Sequence, residues 1–165
     1  MIKVLFICHG NICRSPMAEF ILKDMVAKRK IDQNFHIESA ATSREEIGNN
    51  IHHGTRNKLK EMGIPFTPRK ATQITKSDYN KYDFILCMDN NNIRNLSYII
   101  PNDKSSKIKL LLDFSTSPRS IADPWYTGNF DDTYNDIVEG CEAFLDYIQK
   151  NNIKKLLIKW GCCKK

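Results

Sequence analysis

Three short apolar runs, at residues 4–7, 84–88 and 108–112, constrain this chain more than any other feature. Runs of four or five apolar residues without strict alternation fit strands covered on both faces, the pattern of a parallel sheet. A fourth stretch, Phe35-His36-Ile37-Glu38-Ser39, alternates apolar with polar and reads as an edge strand. Between these runs the apolar spacing lengthens to a helical period. Met17, Ala18, Ile21, Leu22, Met25 and Val26 recur three and four apart, and Pro16 stands where a first helical turn tolerates it. Tyr134, Ile137, Val138, Cys141, Phe144, Leu145 and Ile148 make a second stripe, with Asp131 and Asp132 at its positive N-terminal end. This alternation predicts an open α/β sheet with helices on both faces. Such sheets bind ligands at the carboxyl ends of their strands, which directs attention to the residues after Ile7.

A length of 165 residues suits one domain with a substantial core, and neither an internal repeat nor a dividing linker interrupts it. No apolar run approaches the ~20 residues of a membrane-spanning helix. The opening Met1-Ile2-Lys3-Val4 lacks a basic leader and a small-residue cleavage site, so it reads as a first strand and not a secretory signal. The six cysteines show no disulfide-framework spacing, and the expectation is a cytoplasmic protein with reduced thiols. The net charge of +6 favours anionic partners. No aromatic-basic stripe accompanies it, so a nucleic-acid partner is not expected.

The segment Cys8-His9-Gly10-Asn11-Ile12-Cys13-Arg14-Ser15 joins the first predicted strand to the first predicted helix. Five residues between Cys8 and Arg14 are enough to curl once around an anion. Backbone N–H groups of the loop and helix terminus would point inward, and Arg14 would add a two-pronged clamp on phosphate oxygens. The same field favours a thiolate at Cys8, a nucleophile available near neutral pH. Gly10 is expected to use backbone angles closed to other residues. Asn11 tolerates a left-handed conformation and can tie the loop down through its amide. The bare Cys-x5-Arg spacing is a weak signal, and its place in a strand-to-helix turn gives it force. Cys13 reads equally as packing or as a thiol that captures an oxidised Cys8.

Phosphoryl transfer to sulfur also needs an acid for the departing oxygen. Asp123, in the stiff loop Asp123-Pro124-Trp125-Tyr126-Thr127-Gly128, is the candidate, acting as acid first and as base for water second. Trp125 and Tyr126 would wall the pocket and stack on an aryl ring.

With these residues assembled, the chain resembles the low-molecular-weight protein tyrosine phosphatases over nearly all of residues 1–150. The stretches that carry the resemblance are residues 4–16, Ser39-Ala40-Ala41-Thr42-Ser43, Ile85-Leu86-Cys87-Met88-Asp89 and the Asp123-Pro124 loop. It implies a twisted four-stranded parallel sheet and a two-step mechanism without metal or other cofactor. Cys8 would become a phosphocysteine and Arg14 would bind phosphate. Asp123 would serve as acid and base, and Ser15 would hydrogen-bond the Cys8 sulfur. Asn11 and Ser39 would hold the loop in shape. The implied partners are phosphotyrosine proteins or peptides, with phosphate as product and inhibitor.

Two relatives on this scaffold fit less well. Arginine phosphatases usually carry Thr where this chain has Ile12, and an apolar branch there suits a phosphoaryl group. Arsenate reductases need two further cysteines a short step apart, which Cys87 does not have. A phosphopeptide-binding module without turnover is the non-enzymatic alternative, opposed by the intact Asp123. There are also departures from the family. Many members carry an active-site His after the Gly63-Ile64-Pro65 segment, where this chain reads Phe66-Thr67-Pro68-Arg69-Lys70. Many have an aromatic rim residue at the position of Glu45, whose carboxylate should turn preference toward basic phosphopeptides. Thr127 stands as an insertion before Gly128. Residues 151–165 extend past the usual family end as a basic tail with five lysines. A last helical turn packed on the domain is the preferred reading of it over membrane contact with acylation at Cys162 or Cys163.

Overall fold

The computed structural model describes residues 1–161, with side chains as far as Asn151. Its four strands are β1 (Ile2–Cys8), β2 (Phe35–Ala41), β3 (Phe84–Cys87) and β4 (Ile108–Leu110), all parallel in the order β2-β1-β3-β4. The chain leaves β1 for one neighbour and later returns to the other, so the carboxyl end of β1 is the switch point where a crevice opens. Cys8, opposite Ala41 in the register, stands at that edge.

Helix α1 (Arg14–Lys28) follows β1 directly, and α2 (His53–Glu61) and α3 (Asp78–Lys81) lie between β2 and β3. Helix α4 (Asn90–Ile99) connects β3 to β4, and α5 (Pro124–Thr127) and α6 (Phe130–Gly161) complete the fold. On one face of the sheet Val4, Phe6 and Leu86 pack with Met17 and Ile21 of α1 and with Ile137, Cys141 and Phe144 of α6. On the other face Leu5, Ile7, Ile85 and Cys87 meet Leu96 of α4 and Ile100. Alternate residues of β1 therefore enter different cores, which is why its sequence shows no polar alternation. The edge strand β2 keeps such alternation, with His36 exposed between inward neighbours.

Two boundaries differ from the sequence reading. The apolar run at 108–112 leaves the sheet after Leu110 and turns into a tight helical turn over Leu111–Phe114. Asp113 starts this turn by accepting the Leu110 N–H at 3.0 Å. Leu111 and Leu112 are apolar because they lie in the core shared with α6, not because they continue a strand. Likewise β3 ends at Cys87, since the Met88 N–H is taken by Asn92 Oδ1 at 3.1 Å.

No helix among the described residues is long and apolar enough to cross a membrane. Helix α6 runs on through residues 151–161. The side-chain readings for the tail, and Cys162 and Cys163, lie outside the described residues.

Candidate active site

Residues 8–14 form a closed turn whose carbonyls are held from outside. The carbonyls of Cys8 and His9 accept the N–H groups of Thr42 and Ser43, at 3.0 and 3.1 Å. Ile12 O accepts His52 N–H at 2.9 Å, and Cys13 O accepts the Thr55 hydroxyl at 3.0 Å. In a trans peptide the next N–H points opposite to the carbonyl, so the amides of His9, Gly10, Cys13 and Arg14 face the interior of the turn. The Asn11 amide points at the Cys8 sulfur, 3.3 Å away. This is a ring of donors around one thiol, the arrangement that binds an anion.

The left-handed backbone of the ring falls on Asn11, with φ 59°, and not on Gly10, which has no positive φ. The expectation for Gly10 is corrected accordingly. A Cβ at Gly10 would stand 3.1 Å from Glu46 Cγ, so the position needs room and not special angles.

Ser15, in the first turn of α1, places Oγ 3.0 Å from Cys8 Sγ. The Asn11 amide NH2 donates to Ser15 Oγ at 2.8 Å and to Ser39 Oγ at 3.0 Å. These four residues are buried and form one polar network under the sulfur.

Arg14 is 2% exposed, and its guanidinium is fixed on three sides. One nitrogen donates to Asp89 at 2.6 Å and to Ile121 O at 2.9 Å, and another meets Asp123 Oδ2 at 3.1 Å. Burial disfavours its charge, but Cys8, Asp123 and the hydrogen-bonded Asp89 outweigh that, and its pKa is raised. Asp123 also caps α5, its Oδ1 accepting the Trp125 N–H at 3.1 Å. That short helix ends at Gly128 in the left-handed conformation, immediately after Thr127.

A cleft of about 110 Å³ opens above the ring. Cys8, Gly10, Ile12, Arg14 and Asp123 form its base, and Trp125 and Tyr126 wall it. Both aromatics are largely exposed, and Trp125 is braced edge-on by His52 at 5.7 Å between ring centres. Glu45 stands at the rim and pairs with His9 Nε2 at 2.9 Å. Cys13 is buried, and burial, reinforced by the charges of Cys8 and Asp123, pushes its thiol up to about 12. Cys13 therefore stays protonated at neutral pH. Burial raises the pKa of Cys87 as well, as befits a core thiol.

Several partners have no counterpart in the sequence reading. Arg69 reaches the network from the far side, donating to Asn11 Oδ1 at 2.8 Å, to Glu19 Oε2 at 2.6 Å and to the Ser39 hydroxyl. It stands in the segment after Gly63-Ile64-Pro65, where the resemblance raises the expectation of a His. Glu19 is legible in hindsight as a lone carboxylate within the apolar run Met17-Ala18-Glu19-Phe20-Ile21. Asp89 could have been found as an N-cap, with Asn92 three residues on completing a capping box.

Residues 3–155 match the family model described as low molecular weight phosphotyrosine protein phosphatase. A low molecular weight protein-tyrosine-phosphatase of Bacillus subtilis, YfkJ, is 41% identical over 152 residues, covering 91% of this chain and 97% of that protein. The human low molecular weight phosphotyrosine protein phosphatase is 41% identical over 149 residues, covering 87% of this chain and 94% of its own. The crystal structure of YfkJ superposes with a TM-score of 0.88, covering 92% of this chain and 96% of that one. A Drosophila arginine phosphatase also shares the fold, at 33% identity, a TM-score of 0.82 and coverage of 89% of this chain and 98% of its own. With its thiol ring at the switch point of a four-stranded parallel sheet, this chain belongs to the low molecular weight phosphotyrosine protein phosphatase family.

Proposed function

We propose that this protein hydrolyses phosphotyrosine in proteins or peptides through a phosphocysteine at Cys8, without a metal. The observation that carries the reading is the Cys8 sulfur at the centre of a ring of inward amides, with Ser15 Oγ, Arg14 and Asp123 around it. The ring binds the phosphate, and Arg14 turns from Asp123 to the phosphoryl oxygens. The Cys8 thiolate attacks phosphorus as the bond to the tyrosyl oxygen breaks. Asp123, released from Arg14, takes up a proton from solvent as the phosphate dianion enters beside it, and gives that proton to the departing oxygen. In the second step the Asp123 carboxylate takes a proton from water, and the water oxygen attacks phosphorus. The sulfur leaves as thiolate, with a hydrogen bond from Ser15. Charge developing on the phosphoryl oxygens is met throughout by fixed amides and the guanidinium, the positive field a metal would otherwise provide.

Phosphotyrosine is favoured over phosphoarginine by what lines the cleft. Ile12 offers an apolar branch, and Trp125 and Tyr126 offer flat faces for an aryl ring. Glu45 on the rim favours basic residues around the phosphotyrosine.

The deciding measurement compares phosphate release from phosphotyrosine, phosphoserine and phosphoarginine peptides, with and without chelator, using Cys8→Ser as control. Release from phosphotyrosine alone, unaffected by chelator and abolished in Cys8→Ser, is the expected result. Faster release from phosphoarginine would reassign the substrate. Full activity in Cys8→Ser would remove the mechanism.

A further inference from the structure

We infer that His52 is a positioning residue that holds Trp125 in place for the aryl ring of the substrate, and that it does so only while its imidazole is neutral. The inference deepens the reading of the protein as a phosphotyrosine phosphatase and rests on it.

Trp125 is exposed and belongs to α5, a helix of four residues, so little of its own element holds it. It leans on His52, whose ring lies among three others. The Trp125 ring meets it edge-on at 5.7 Å, and His53 stacks on it at 4.2 Å. Phe130 of α6 lies nearly parallel to it at 5.5 Å, with 12° between the planes. Phe130 in turn packs against Ile12, Cys13 and Ala71. One imidazole thereby joins the wall of the cleft to the back of the thiol ring. Gly54 keeps the approach close, since an added Cβ would enter the Phe130 ring.

One hydrogen bond fixes the plane of this imidazole. Its Nδ1 accepts the Gly54 N–H at 3.0 Å and caps the first turn of α2. A backbone N–H only donates, so Nδ1 carries no proton and the ring proton is on Nε2. A second proton would have to sit on Nδ1, head-on to the Gly54 N–H. The ring would then turn out of the stack toward water, and Trp125 would lose its support. The surroundings oppose that at neutral pH. Burial, then the neighbouring His53 and Arg56 of α2, lower the His52 pKa from the ordinary 6.5, against the pull of Glu46. Carboxylates of the other packed elements are engaged elsewhere. Asp123 holds Arg14 and the Trp125 N–H, Asp131 holds Lys58, and Asp132 holds Asn129. The brace is therefore firm at pH 7 and fails as pH falls below 6.5.

Two variants separate the ring from the cap. His52→Asn keeps an acceptor for the Gly54 N–H and removes the ring, whereas His52→Phe keeps a ring and removes the acceptor and the titration. At pH 7, KM for a phosphotyrosine peptide should rise about two- to tenfold in His52→Asn, the worth of an aromatic pair, with kcat much less affected. Inhibition by inorganic phosphate, which has no ring to meet Trp125, should be unchanged. His52→Phe should lie nearer wild type. Equal weakening for peptide and phosphate would reduce His52 to support of the loop through its backbone bond to Ile12 O. An unchanged KM in His52→Asn would end the inference. The wall itself is read by fluorescence in Trp160→Phe protein, where Trp125 is the one tryptophan left. Its emission should change with a midpoint below pH 6.5, also with His53→Gln added, and stay flat in that window with His52→Asn or His52→Phe added. No transition in the Trp160→Phe protein, or one that survives either His52 substitution, would overturn the dependence on a neutral ring. Fluorescence needs no turnover, so a protein that shows the transition yet releases no phosphate from phosphotyrosine would defeat the proposed function and leave the brace standing.

Discussion

Asp123 holds two positions with one carboxyl group, one oxygen on the Trp125 amide and the other on Arg14. The first bond is local and fixes the loop; the second crosses from α5 to α1 and sets the carboxyl beside the reacting centre. Replacing it with Asn keeps an oxygen for the Trp125 cap but removes the transferable proton. Asp123→Asn should therefore lower kcat on phosphotyrosine by roughly 10²–10⁴-fold with the fold intact. The loss should shrink along a series of aryl phosphates as the leaving phenol becomes more acidic, because such a group departs without help. An equal loss across the series would show that Asp123 is not the acid. The meeting of Cys8 and Arg14 was legible in the sequence because one strand-to-helix loop holds both, and Asp123, 109 residues from Arg14, was legible only as the acid that the expected chemistry requires. Arg69, Asp89 and the Ile121 carbonyl were not, since they reach the site through contacts 30 to 107 residues apart in the chain. No local pattern records such a meeting. Gly10 shows the converse error, where a residue type suggested backbone freedom and the structure uses only its small size.

At the scale of elements, the apolar runs of β1 and β3 were readable because burial on both faces leaves no polar alternation. The end of β4 was not readable, since Leu110, Leu111 and Leu112 are equally apolar in a strand and in the turn that follows it. What places that turn is α6. Gly140 faces Leu111 so closely that an added Cβ would stand 2.5 Å from Leu111 Cγ, and Leu111 is fully buried. On an exposed helix, Gly→Ala gains about 1 kcal/mol from helix propensity. Here overpacking, typically about 1–3 kcal/mol, opposes and exceeds that gain. Gly140→Ala should lower stability in urea unfolding, and Gly140→Ala/Leu111→Ala should recover the contact but lose the buried leucine. A stabilised Gly140→Ala would mean that the turn yields and does not set the approach of α6.

For the molecule as a whole, the titrating groups predict a stability plateau with a descending arm on each side. On the alkaline side, burial raises the thiol pKa of Cys13, Cys87 and Cys141 above the ordinary 9.0. Tyr82 is likewise pushed up to about 12, by burial and then by Glu38. Well below pH 9 the thiols are protonated folded or unfolded and contribute nothing to the pH dependence. Above it the unfolded chain releases protons that the folded chain retains, so rising pH draws the equilibrium toward unfolding. Each such thiol adds a slope of at most about 1.4 kcal/mol per pH unit. On the acid side, burial works against the charges of Asp78 and Asp103. Hydrogen bonds outweigh it, from Thr75 and Lys81 to the first and from Tyr79, Lys107 and Ile108 to the second. Both carboxylates therefore have lowered pKa values, and their contribution is lost as pH falls through the region below 3.8. Urea midpoints measured at pH 7, 9 and 10.5 should begin to fall by pH 9 and drop steeply by pH 10.5. Cys87→Ala/Cys141→Ala should start lower, for loss of packing, but descend less steeply above pH 9. A wild-type midpoint unchanged at pH 10.5, or a double variant with the wild-type slope, would show that these thiols do not govern the alkaline limit.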